Sequence, residues 1–274
     1  MNPTVLITGA STGFGRATAN LFAARGWNVV ATMRDPGAGA ALATLPNVLV
    51  VRLDVQDRAS IDAAVATGIE RFGAIDAVVN NAGFGLFGIF EAASREKIQE
   101  QFDVNVFGVM DVTRAVLPHF RARRRGTFVN VSSGAGVFGL PMISLYNASK
   151  FALEGFSESL SYELASQGIV VKIVEPGGVL DTGFSARSTD EFGQATIPEG
   201  YETFVANAAK IFEGLRANRL ATSDDVAGVI HEAVTDGTNR LRYVATEDIK
   251  PLVKARRETS EDEYMAFMRR QFGG

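Results

Sequence analysis

The stretch that decides the fold reads Val5-Leu6-Ile7-Thr8-Gly9-Ala10-Ser11-Thr12-Gly13-Phe14-Gly15. It starts with a short apolar run that ends at a glycine, which is typical of a strand buried on both faces of a sheet. From Phe14 the apolar residues recur at helical spacing until Gly26 ends the helix. A glycine-rich turn between a buried strand and a helix gathers N–H groups at the positive end of the helix dipole, so the sequence predicts a phosphate-binding site.

The three glycines of this turn have different expected tasks. Gly9 allows the tight turn out of the strand, Gly13 removes a side chain where backbone must approach a pyrophosphate, and Gly15 lets the helix pack closely on the sheet. Three residues separate the first two glycines, so the spacing differs from the usual G-x-G-x-x-G. Such a turn can be purely structural, but its place between a strand and a helix favours nucleotide binding.

The alternation of strands and helices continues along the chain. Short runs rich in Val and Ile predict further strands at residues 29–32, 48–51, 75–79, 127–131, 169–174 and 241–244. Because helical segments separate them, we predict one doubly wound α/β domain over residues 1–274, with a mainly parallel seven-stranded sheet and helices on both faces. Residues 183–222 mix Gly, Ser, Thr and Pro with aromatics. We expect a substrate-covering segment there, with a surface excursion as the alternative.

Composition narrows the possible chemistry. The 274 residues include no cysteine and two histidines, and 27 basic against 31 acidic residues give a net charge of −4. Disulfides and zinc thiolates are therefore excluded, a multi-histidine metal site is nearly excluded, and nucleic acid is a poor candidate partner. We expect His119 and His231 to be structural. The sequence has no evident export signal or membrane-spanning apolar run, so we expect a cytoplasmic protein.

Two side chains one helical turn apart carry the expected chemistry. Tyr146 and Lys150 both project from one face of a predicted helix. A free tyrosine has a pKa near ~10, and a neighbouring ammonium, like an oxidised nicotinamide, favours the phenolate. This pair would form a general acid/base for an alcohol or carbonyl group, and the hydroxyl of Ser133, after the fifth strand, would hydrogen-bond the reacting oxygen. A Tyr–Lys pair at this spacing alone also arises by chance.

The residues after the second strand bear on the choice of cofactor. An acidic residue there would hydrogen-bond a ribose hydroxyl and repel a 2′-phosphate. Met33 occupies that place, and Arg34 follows with a guanidinium that can clamp a phosphate through two hydrogen bonds. We therefore expect NADP. NAD is the alternative, because Asp35 adjoins Arg34 and the arginine can be merely solvated.

The motifs in this order resemble the short-chain dehydrogenase/reductase (SDR) family, whose members have a single Rossmann-like domain. The matching pieces are residues 8–15, Asp54-Val55, Asn80-Asn81-Ala82-Gly83, Asn105, Ser132-Ser133, Tyr146 with Lys150, and Pro176-Gly177. The resemblance covers most of the chain, from about residue 3 to about residue 245. It implies that Tyr146 is the general acid/base, that Lys150 lowers its pKa and holds the nicotinamide ribose, and that Ser133 rather than Ser132 positions the substrate oxygen.

The resemblance also implies roles for residues whose types alone say little. Asn105 would hold a water of a proton relay through Lys150, and Asn80 would brace the sheet. The cofactor-binding residues would be Gly9, Ser11, Thr12, Gly13, Phe14, Gly15, Arg34, Asp54, Val55, Asn81, Ala82, Gly83, Tyr146, Lys150, Pro176, Gly177 and Val179. One extra residue precedes Thr182 compared with the family pattern, so its cofactor contact stays open. Family members commonly form homodimers or homotetramers, and the resemblance implies such an assembly here through helices around residues 96–122 and 147–166.

These observations predict an NADP(H)-dependent oxidoreductase that acts on a small-molecule ketone or secondary alcohol without a metal ion. An apolar substrate is expected if the apolar residues that flank the motifs line a pocket rather than belong to the core. They are Phe84, Leu86, Phe87, Phe90, Val137, Phe138, Leu140, Met142 and Ile143. The alternative is a non-catalytic dinucleotide-binding sensor or scaffold, which needs none of the four expected catalytic residues. A nucleotide-sugar epimerase or dehydratase fits less well, because such proteins are usually longer and space their glycines differently.

Two charged stretches give weaker indications. The arginines of residues 121–125 are expected to end a helix in solvent, with an anion-binding patch as the alternative. In the tail of residues 250–274, Tyr264, Phe267, Met268 and Phe272 are spaced like one helical face. That face would lean on the body, cover the pocket or touch a partner chain.

Overall fold

Seven short strands lie side by side in one sheet, and every neighbouring pair is parallel. This computed structural model describes residues 2–179, 197–217 and 221–272. The strands are β1 Thr4–Ile7, β2 Asn28–Met33, β3 Val48–Arg52, β4 Ala77–Asn80, β5 Gly126–Val131, β6 Ile169–Glu175 and β7 Arg242–Val244. Their order, β3-β2-β1-β4-β5-β6-β7, is that of a doubly wound sheet. The predicted α/β fold is confirmed.

Helices connect the strands and extend beyond the last one. Before β7 they are α1 Gly13–Ala24, α2 Ala40–Ala43, α3 Arg58–Phe72, α4 Arg95–Phe102, α5 Gly108–Arg123, α6 Ser144–Ala165, α7 Glu202–Ala217 and α8 Ser223–Thr235. After β7 come α9 Lys250–Glu258 and α10 Glu261–Phe272. A π-helical turn at Asp103–Phe107 joins α4 to α5.

The strand residues alternate between two helical layers. Val5 and Ile7 of β1 face one layer, in which Phe22 of α1 and Ile230 of α8 are fully buried. Leu6, between them, faces the other layer, to which α3, α5 and α6 contribute. This is the period of two that a strand imposes on its side chains. Because helices cover both faces, apolar residues predominate on both faces of the strands, in place of a regular alternation of polar and apolar residues.

A chain of buried polar side chains links the centre of the sheet to α6. Asn80 Nδ2 donates to Asn130 Oδ1 at 2.8 Å, and Asn130 Nδ2 donates to Ser157 Oγ at 2.8 Å. Ser157 in turn donates to the carbonyl oxygen of Leu153 at 2.6 Å. These hydrogen bonds offset the desolvation of the buried amides and hydroxyl. Asn80 therefore braces β4 against β5.

The apolar face of the C-terminal tail packs on the body of the same chain. Tyr264 and Met268 of α10 are buried with Val253 of α9 in a cluster that includes Val137 and Phe138. Among the placements that the sequence left open, these contacts support the one against the body. The start of the tail, at Leu252, also lines a cavity at the C-terminal edge of the sheet.

The arginine cluster at the end of α5 is more constrained than expected. The helix ends at Arg123, and Arg124 has the left-handed φ of 50° that is common where a helix stops. Arg123 and Arg125 bind the carboxylate of Asp76 at 2.8 and 3.2 Å. The cluster thus ends the helix as expected, and the ion pair additionally ties Arg123 to Asp76, directly before β4.

Both histidines make contacts that belong to the fold. His119 Nε2 lies 3.1 Å from the backbone nitrogen of Ile75. The His231 ring packs against Phe22, with 5.0 Å between the ring centroids. Burial lowers the pKa of each imidazole below its usual value. These contacts agree with structural roles.

Some sequence expectations fall on residues that the structure does not describe. Thr182 and residues 183–196 and 218–220 of the predicted substrate-covering segment lie outside the described residues. The described part of that segment contains α7. Within residues 2–179, 197–217 and 221–272, no helix is long and apolar enough to span a membrane. The same residues contain no cluster of three or more His, Asp or Glu side chains suited to a metal ion.

Candidate active site

The glycine-rich turn lies at the C-terminal end of β1. Gly9 has a φ of 68° and Gly13 a φ of 49°, a left-handed region that other residues rarely adopt. A Cβ on Gly15 would lie only 2.2 Å from the carbonyl oxygen of Gly9, so this glycine packs α1 against the turn itself. The first turn of α1 contains no acidic residue that would neutralise its positive end. The turn therefore has the shape and the electrostatic character of an anion cradle.

A side-chain latch holds this turn to the segment after β4. Asn81 Nδ2 donates to the carbonyl oxygens of Thr8 and Gly9 at 2.9 and 3.1 Å. Thr8 Oγ1 accepts hydrogen bonds from the backbone nitrogens of Asn81 and Ala82, both at 3.0 Å. Sequence reasoning assigned Asn81 to the cofactor and missed Thr8. The indication in the sequence that could have revealed this role was a threonine directly before Gly9.

The end of β2 presents a basic residue to the same side of the sheet. Met33 is buried, whereas Arg34 is exposed at the rim of the cavity described below. The carboxylate of Asp35 accepts a hydrogen bond from Gly37 N at 2.9 Å and caps a short 3₁₀ turn. Asp54 and Val55, after β3, line the same cavity.

Tyr146 and Lys150 lie in the first two turns of α6, and both side chains are buried. Lys150 Nζ donates to the carbonyl oxygen of Val131 at 2.9 Å and lies 5.7 Å from the centroid of the Tyr146 ring. The predicted sharing of one helical face is therefore present. The lysine is fixed to the end of β5, so its position relative to the tyrosine is set by both the helix and the sheet.

The serine after β5 completes the polar group. Ser133 is hydrogen-bonded to the hydroxyl of Tyr146. Its own hydroxyl accepts from Ala135 N at 3.1 Å. Ser132 is buried beside α6, where a Cβ on Gly136 would lie 2.6 Å from Ser132 Oγ and 2.9 Å from Glu154 Cγ. Ser133 rather than Ser132 is therefore the serine beside the Tyr146 hydroxyl, and its role toward a reacting oxygen stays a prediction.

Burial dominates the proton affinities of this group. It raises the pKa of Tyr146 to about 12, and the hydrogen bond from Ser133 offsets only part of the rise. Burial also lowers the pKa of Lys150 to about 8, although the negative charge of Glu154 opposes that fall. The sequence led us to expect a lowered tyrosine pKa, and the net shift has the opposite direction because desolvation disfavours the phenolate. At neutral pH the phenol is protonated and the lysine is mostly an ammonium.

The π-helical turn delivers Asn105 to the neighbourhood of Lys150. Its Nδ2 donates to the carbonyl oxygen of Phe84 at 2.8 Å and to Ser149 Oγ at 3.1 Å, and its Oδ1 accepts from Phe84 N at 3.1 Å. Both ends of the side-chain amide are therefore engaged by protein atoms. The water that the resemblance assigns to Asn105 remains a prediction.

A second asparagine, missed by sequence reasoning, stabilises the segment after Ser133. Asn147 Nδ2 donates to the carbonyl oxygens of Ala135 and Phe138 at 2.7 and 2.8 Å. The side chain is buried, although it belongs to a helix with many apolar neighbours. A polar residue directly after the tyrosine was the signal for this role.

The predicted residues meet in one cavity of about 1050 Å³ along the C-terminal edge of the sheet. Its lining contains every predicted catalytic and cofactor-binding residue except Gly15 and Asn105. Those two lie behind the lining, where Gly15 supports the turn and Asn105 supports Phe84. The cavity therefore joins the anion cradle, the tyrosine and the arginine in one space.

One side of the cavity, here named the apolar wall, is built from four segments. They contribute Phe84 and Phe87; Phe138, Leu140, Met142 and Ile143; Val205, Ala208 and Phe212 of α7; and Ile249 and Leu252. Of the apolar residues singled out in the sequence, Leu86, Phe90 and Val137 are not part of this lining. Phe90 is 61% exposed, and Val137 packs in the C-terminal cluster.

Comparison with known proteins identifies the family. A sequence model described as short chain dehydrogenase matches residues 3–192. The chain belongs to this family. It is therefore an oxidoreductase of the SDR type, a class that pairs a small-molecule substrate with a nicotinamide dinucleotide. The matched range includes the glycine-rich turn, Ser133, Tyr146 and Lys150, but it ends before α7, α8, β7, α9 and α10.

Two curated relatives illustrate the range of the family. The chain is 39% identical over 264 residues to retinol dehydrogenase 8 of Bos taurus, covering 91% of this chain and 83% of that protein. It is 41% identical over 181 residues to a 3-ketodihydrosphingosine reductase of Bacteroides thetaiotaomicron, covering 66% of this chain and 65% of that protein.

Solved structures share the whole fold. A short-chain dehydrogenase from Streptomyces avermitilis has a TM-score of 0.82 and 31% identity, covering 98% of this chain and 96% of that chain. An SDR protein from Burkholderia phymatum in complex with NAD has a TM-score of 0.80 and 29% identity, with coverages of 94% and 93%. ElxO with NADP bound has a TM-score of 0.73 and 25% identity, with coverages of 89% and 98%.

Proposed function

We propose that the protein is an NADP(H)-dependent oxidoreductase that transfers hydride between the nicotinamide and an apolar ketone or secondary alcohol, with Tyr146 as general acid/base. The observation that carries the proposal is the hydrogen bond between Tyr146 and Ser133, beside Lys150, in the cavity that also contains the glycine-rich turn. A non-catalytic sensor or scaffold would not need these three groups together, so no comparable observation favours that alternative.

Tyr146 supplies the proton for carbonyl reduction. Because burial raises its pKa to about 12, the phenol is protonated at neutral pH and donates to the oxygen of a bound ketone. The hydroxyl of Ser133 holds that oxygen in place, since it is already within hydrogen-bonding reach of the phenol. In the oxidative direction a phenolate must form, and the nearby ammonium of Lys150 favours it.

The residues of the cavity fit a nicotinamide dinucleotide. The left-handed glycines and the start of α1 suit its pyrophosphate. A Cβ on Gly83 would lie 3.1 Å from Asn105 Oδ1, so a side chain there would press on this amide, and it would contact Lys150 Nζ at 3.7 Å. Pro176, Gly177 and Val179 would border the nicotinamide. When bound, the nicotinamide supplies or accepts the hydride.

Arg34 supports NADP as the preferred cofactor. Its guanidinium lies at the cavity rim directly after β2, where a 2′-phosphate would be bound. The neighbouring Asp35 directs its carboxylate to the backbone of Gly37. Repulsion of a phosphate by Asp35 is thereby reduced, whereas NAD would gain no acidic partner for its ribose at Met33.

The apolar wall supports a substrate with a large hydrocarbon part. Two of the relatives are named for retinol and for 3-ketodihydrosphingosine, both of which are largely apolar molecules. Side chains such as Phe87 and Phe212, whose ring centroids are 6.3 Å apart, would exclude water from the reacting carbon.

Two further expectations concern assembly and location. A homodimer or homotetramer through α5 and α6 is supported by large exposed residues on or beside these helices: Phe107 is 49%, Phe151 43% and Tyr162 72% exposed. Sedimentation of the purified protein measures this assembly. The cytoplasmic location stays a prediction from the sequence.

The proposed function is tested in two steps. Titration with NADPH and with NADH, followed by cofactor fluorescence, is expected to give tighter binding of NADPH. A panel of ketones and aldehydes that runs from short chains to retinal and long-chain 3-ketones is then assayed by NADPH absorbance. We expect turnover to rise with the length of the hydrocarbon part. Absence of turnover with the whole panel and with the corresponding alcohols would contradict the enzymatic assignment.

A further inference from the structure

Three polar side chains from the segment after β7 contact the end of β6 and the residues that follow it. Thr246 Oγ1 accepts a hydrogen bond from Gly177 N at 2.8 Å, and Asp248 Oδ2 accepts one from Gly178 N at 3.0 Å. Arg257 of α9 donates to Glu175 Oε1 at 2.5 Å. We name Thr246, Asp248 and Arg257 the C-terminal clamp.

The buried carboxylate of Glu175 makes Arg257 important. Glu175 is fully buried at the end of β6, directly before Pro176. Its second cationic neighbour, Arg242 of β7, lies at 3.6 Å and is already bonded to Glu154 and Glu158. Among the described residues, Glu175 Oε2 has no hydrogen-bond partner. Burying a carboxylate without a close counter-charge costs free energy. The ion pair with Arg257 therefore stabilises the end of β6 in its observed position.

The segment after β7 also supports the turn that carries Ser133. Gly134 N donates to the carbonyl oxygen of Pro176 at 2.9 Å, so the segments after β5 and β6 are joined at this point. A Cβ on Gly134 would lie 3.2 Å from Ile249 Cδ1, so this turn packs closely against the residue directly before α9. The two segments that border the reaction centre therefore rest on the same C-terminal support.

We propose that Thr246, Asp248 and Arg257 are positioning residues for hydride transfer. They hold the loop of Pro176, Gly177 and Gly178 at a fixed place relative to Ser133 and Tyr146. The inference rests on the proposed function, in which this loop borders the nicotinamide. The clamp lies outside the range matched by the family model, which ends at residue 192. The two glycine amides depend on clamp oxygens, and a shift of about 1 Å at a reacting centre can cost about a hundredfold in rate.

The test compares two adjacent arginines of α9. Arg257→Met removes the counter-charge of Glu175, whereas Arg256→Met removes an ion pair to Glu261 and a contact with the Tyr264 ring, both on α10. Measured quantities are kcat, the KM values of substrate and cofactor, and the primary isotope effect with NADPH deuterated at the transferred position. We expect Arg257→Met to lower kcat about tenfold and to raise the isotope effect, with Arg256→Met close to wild type. Arg257→Lys should restore part of kcat.

A second variant removes a loop contact without changing the buried charge. Thr246→Val keeps the shape of the side chain and deletes the acceptor of Gly177 N. Amide hydrogen exchange of the peptide that spans residues 169–179 is measured for wild type, Thr246→Val and Arg257→Met. Faster exchange in both variants is expected, and this readout does not require turnover.

The outcomes separate the two hypotheses. A wild-type protein without turnover contradicts the proposed function, and the exchange measurement still decides whether the clamp holds the loop. Unchanged exchange in both variants contradicts the clamp. An active wild type whose Arg257→Met variant has a lower Tm, but an unchanged kcat and isotope effect below that Tm, shows a structural role only and overturns the inference.

Discussion

The two sides of the cavity are built on different principles. The anion cradle comes from one contiguous stretch, residues 8–15, with one latch from Asn81, and it works mainly through backbone groups. The apolar wall comes from four segments distant in sequence, and it works through side chains. A backbone cradle suits a ligand part that many enzymes share, such as a pyrophosphate. A wall of side chains can change residue by residue, so it suits the part of the chemistry that differs between enzymes.

Tyr146 and its neighbours stand between these two sides, so changing them should separate binding from chemistry. We expect Tyr146→Phe to lower kcat by about 10³-fold while NADPH binding stays within about twofold, because the variant lacks only the proton donor. Steady-state kinetics and fluorescence titration measure the two effects. Tyr162→Phe, on the exposed part of the same helix, is the matched control. Retention of wild-type kcat in Tyr146→Phe would refute the acid/base assignment.

A change in the anion cradle should have the opposite effect: it should weaken dinucleotide binding rather than lower kcat. The Cβ of Gly15→Ala would overlap the carbonyl oxygen of Gly9 and deform the turn. Overpacking of this kind costs about 1–3 kcal/mol, which corresponds to about 5- to 150-fold weaker dinucleotide binding if the whole cost falls on the cradle. Titration and Tm are the measurements. Gly228→Ala is the control, because a Cβ at this exposed position of α8 meets nothing within 4 Å. Equal cofactor affinities in both variants would contradict a close-packed cradle.

The pH dependence of the reductive kcat tests the pair of Tyr146 and Lys150, which lies between the anion cradle and the apolar wall. Below pH about 8 Lys150 carries its proton, and above that value it becomes neutral, whereas Tyr146 with a pKa of about 12 stays protonated. We therefore expect reductive kcat to fall with rising pH, by about tenfold per unit above pH 8. In Lys150→Arg the charge persists, so the decline should disappear whatever the absolute rate. A wild-type profile that is flat to pH 10 would contradict the role of the ammonium.

The smallest expected effect concerns the cofactor specificity of the cradle side. Arg34→Ala should weaken NADPH binding about tenfold and leave NADH binding almost unchanged, because only NADPH carries a phosphate for the guanidinium. Both Kd values are measured by fluorescence titration. Arg52→Ala serves as the control, since this arginine ends the neighbouring strand β3 and pairs with Asp57. Equal losses for both cofactors would exclude Arg34 as the source of an NADP preference.

How much of each region the sequence predicts follows the same division between contiguous stretches and distant segments. Strands such as β1 and β6 were predicted because runs of Val and Ile are a local signal of burial on both faces. The cradle and the Tyr146–Lys150 pair were predicted because their spacing is also local. The upward shift of the Tyr146 pKa was missed, since it depends on how completely the folded chain removes the ring from water. No local pattern reports that quantity.

Contacts between distant segments account for the other differences. The engagement of Asn105 with Phe84 depends on the π-helical turn, for which the sequence has no period to read. The contributions of α7 and of Ile249 to the apolar wall depend on how the C-terminal third packs back. The same holds for Arg257 and Glu175, which are far apart in sequence and meet only in the folded chain.

The buried amide chain from Asn80 through Asn130 to Ser157 has a consequence for how the sheet assembles. If β5 paired with β4 one residue out of alignment, every side chain of the strand would turn to the opposite face. The Asn130 amide would then lie among apolar groups without its partners, at a cost of about 1–3 kcal/mol for each unpaired group. Misaligned folding intermediates are therefore disfavoured. The hydrogen bond from Asn130 to Ser157 also favours one orientation of α6 on the sheet, with Tyr146 and Lys150 at the cavity.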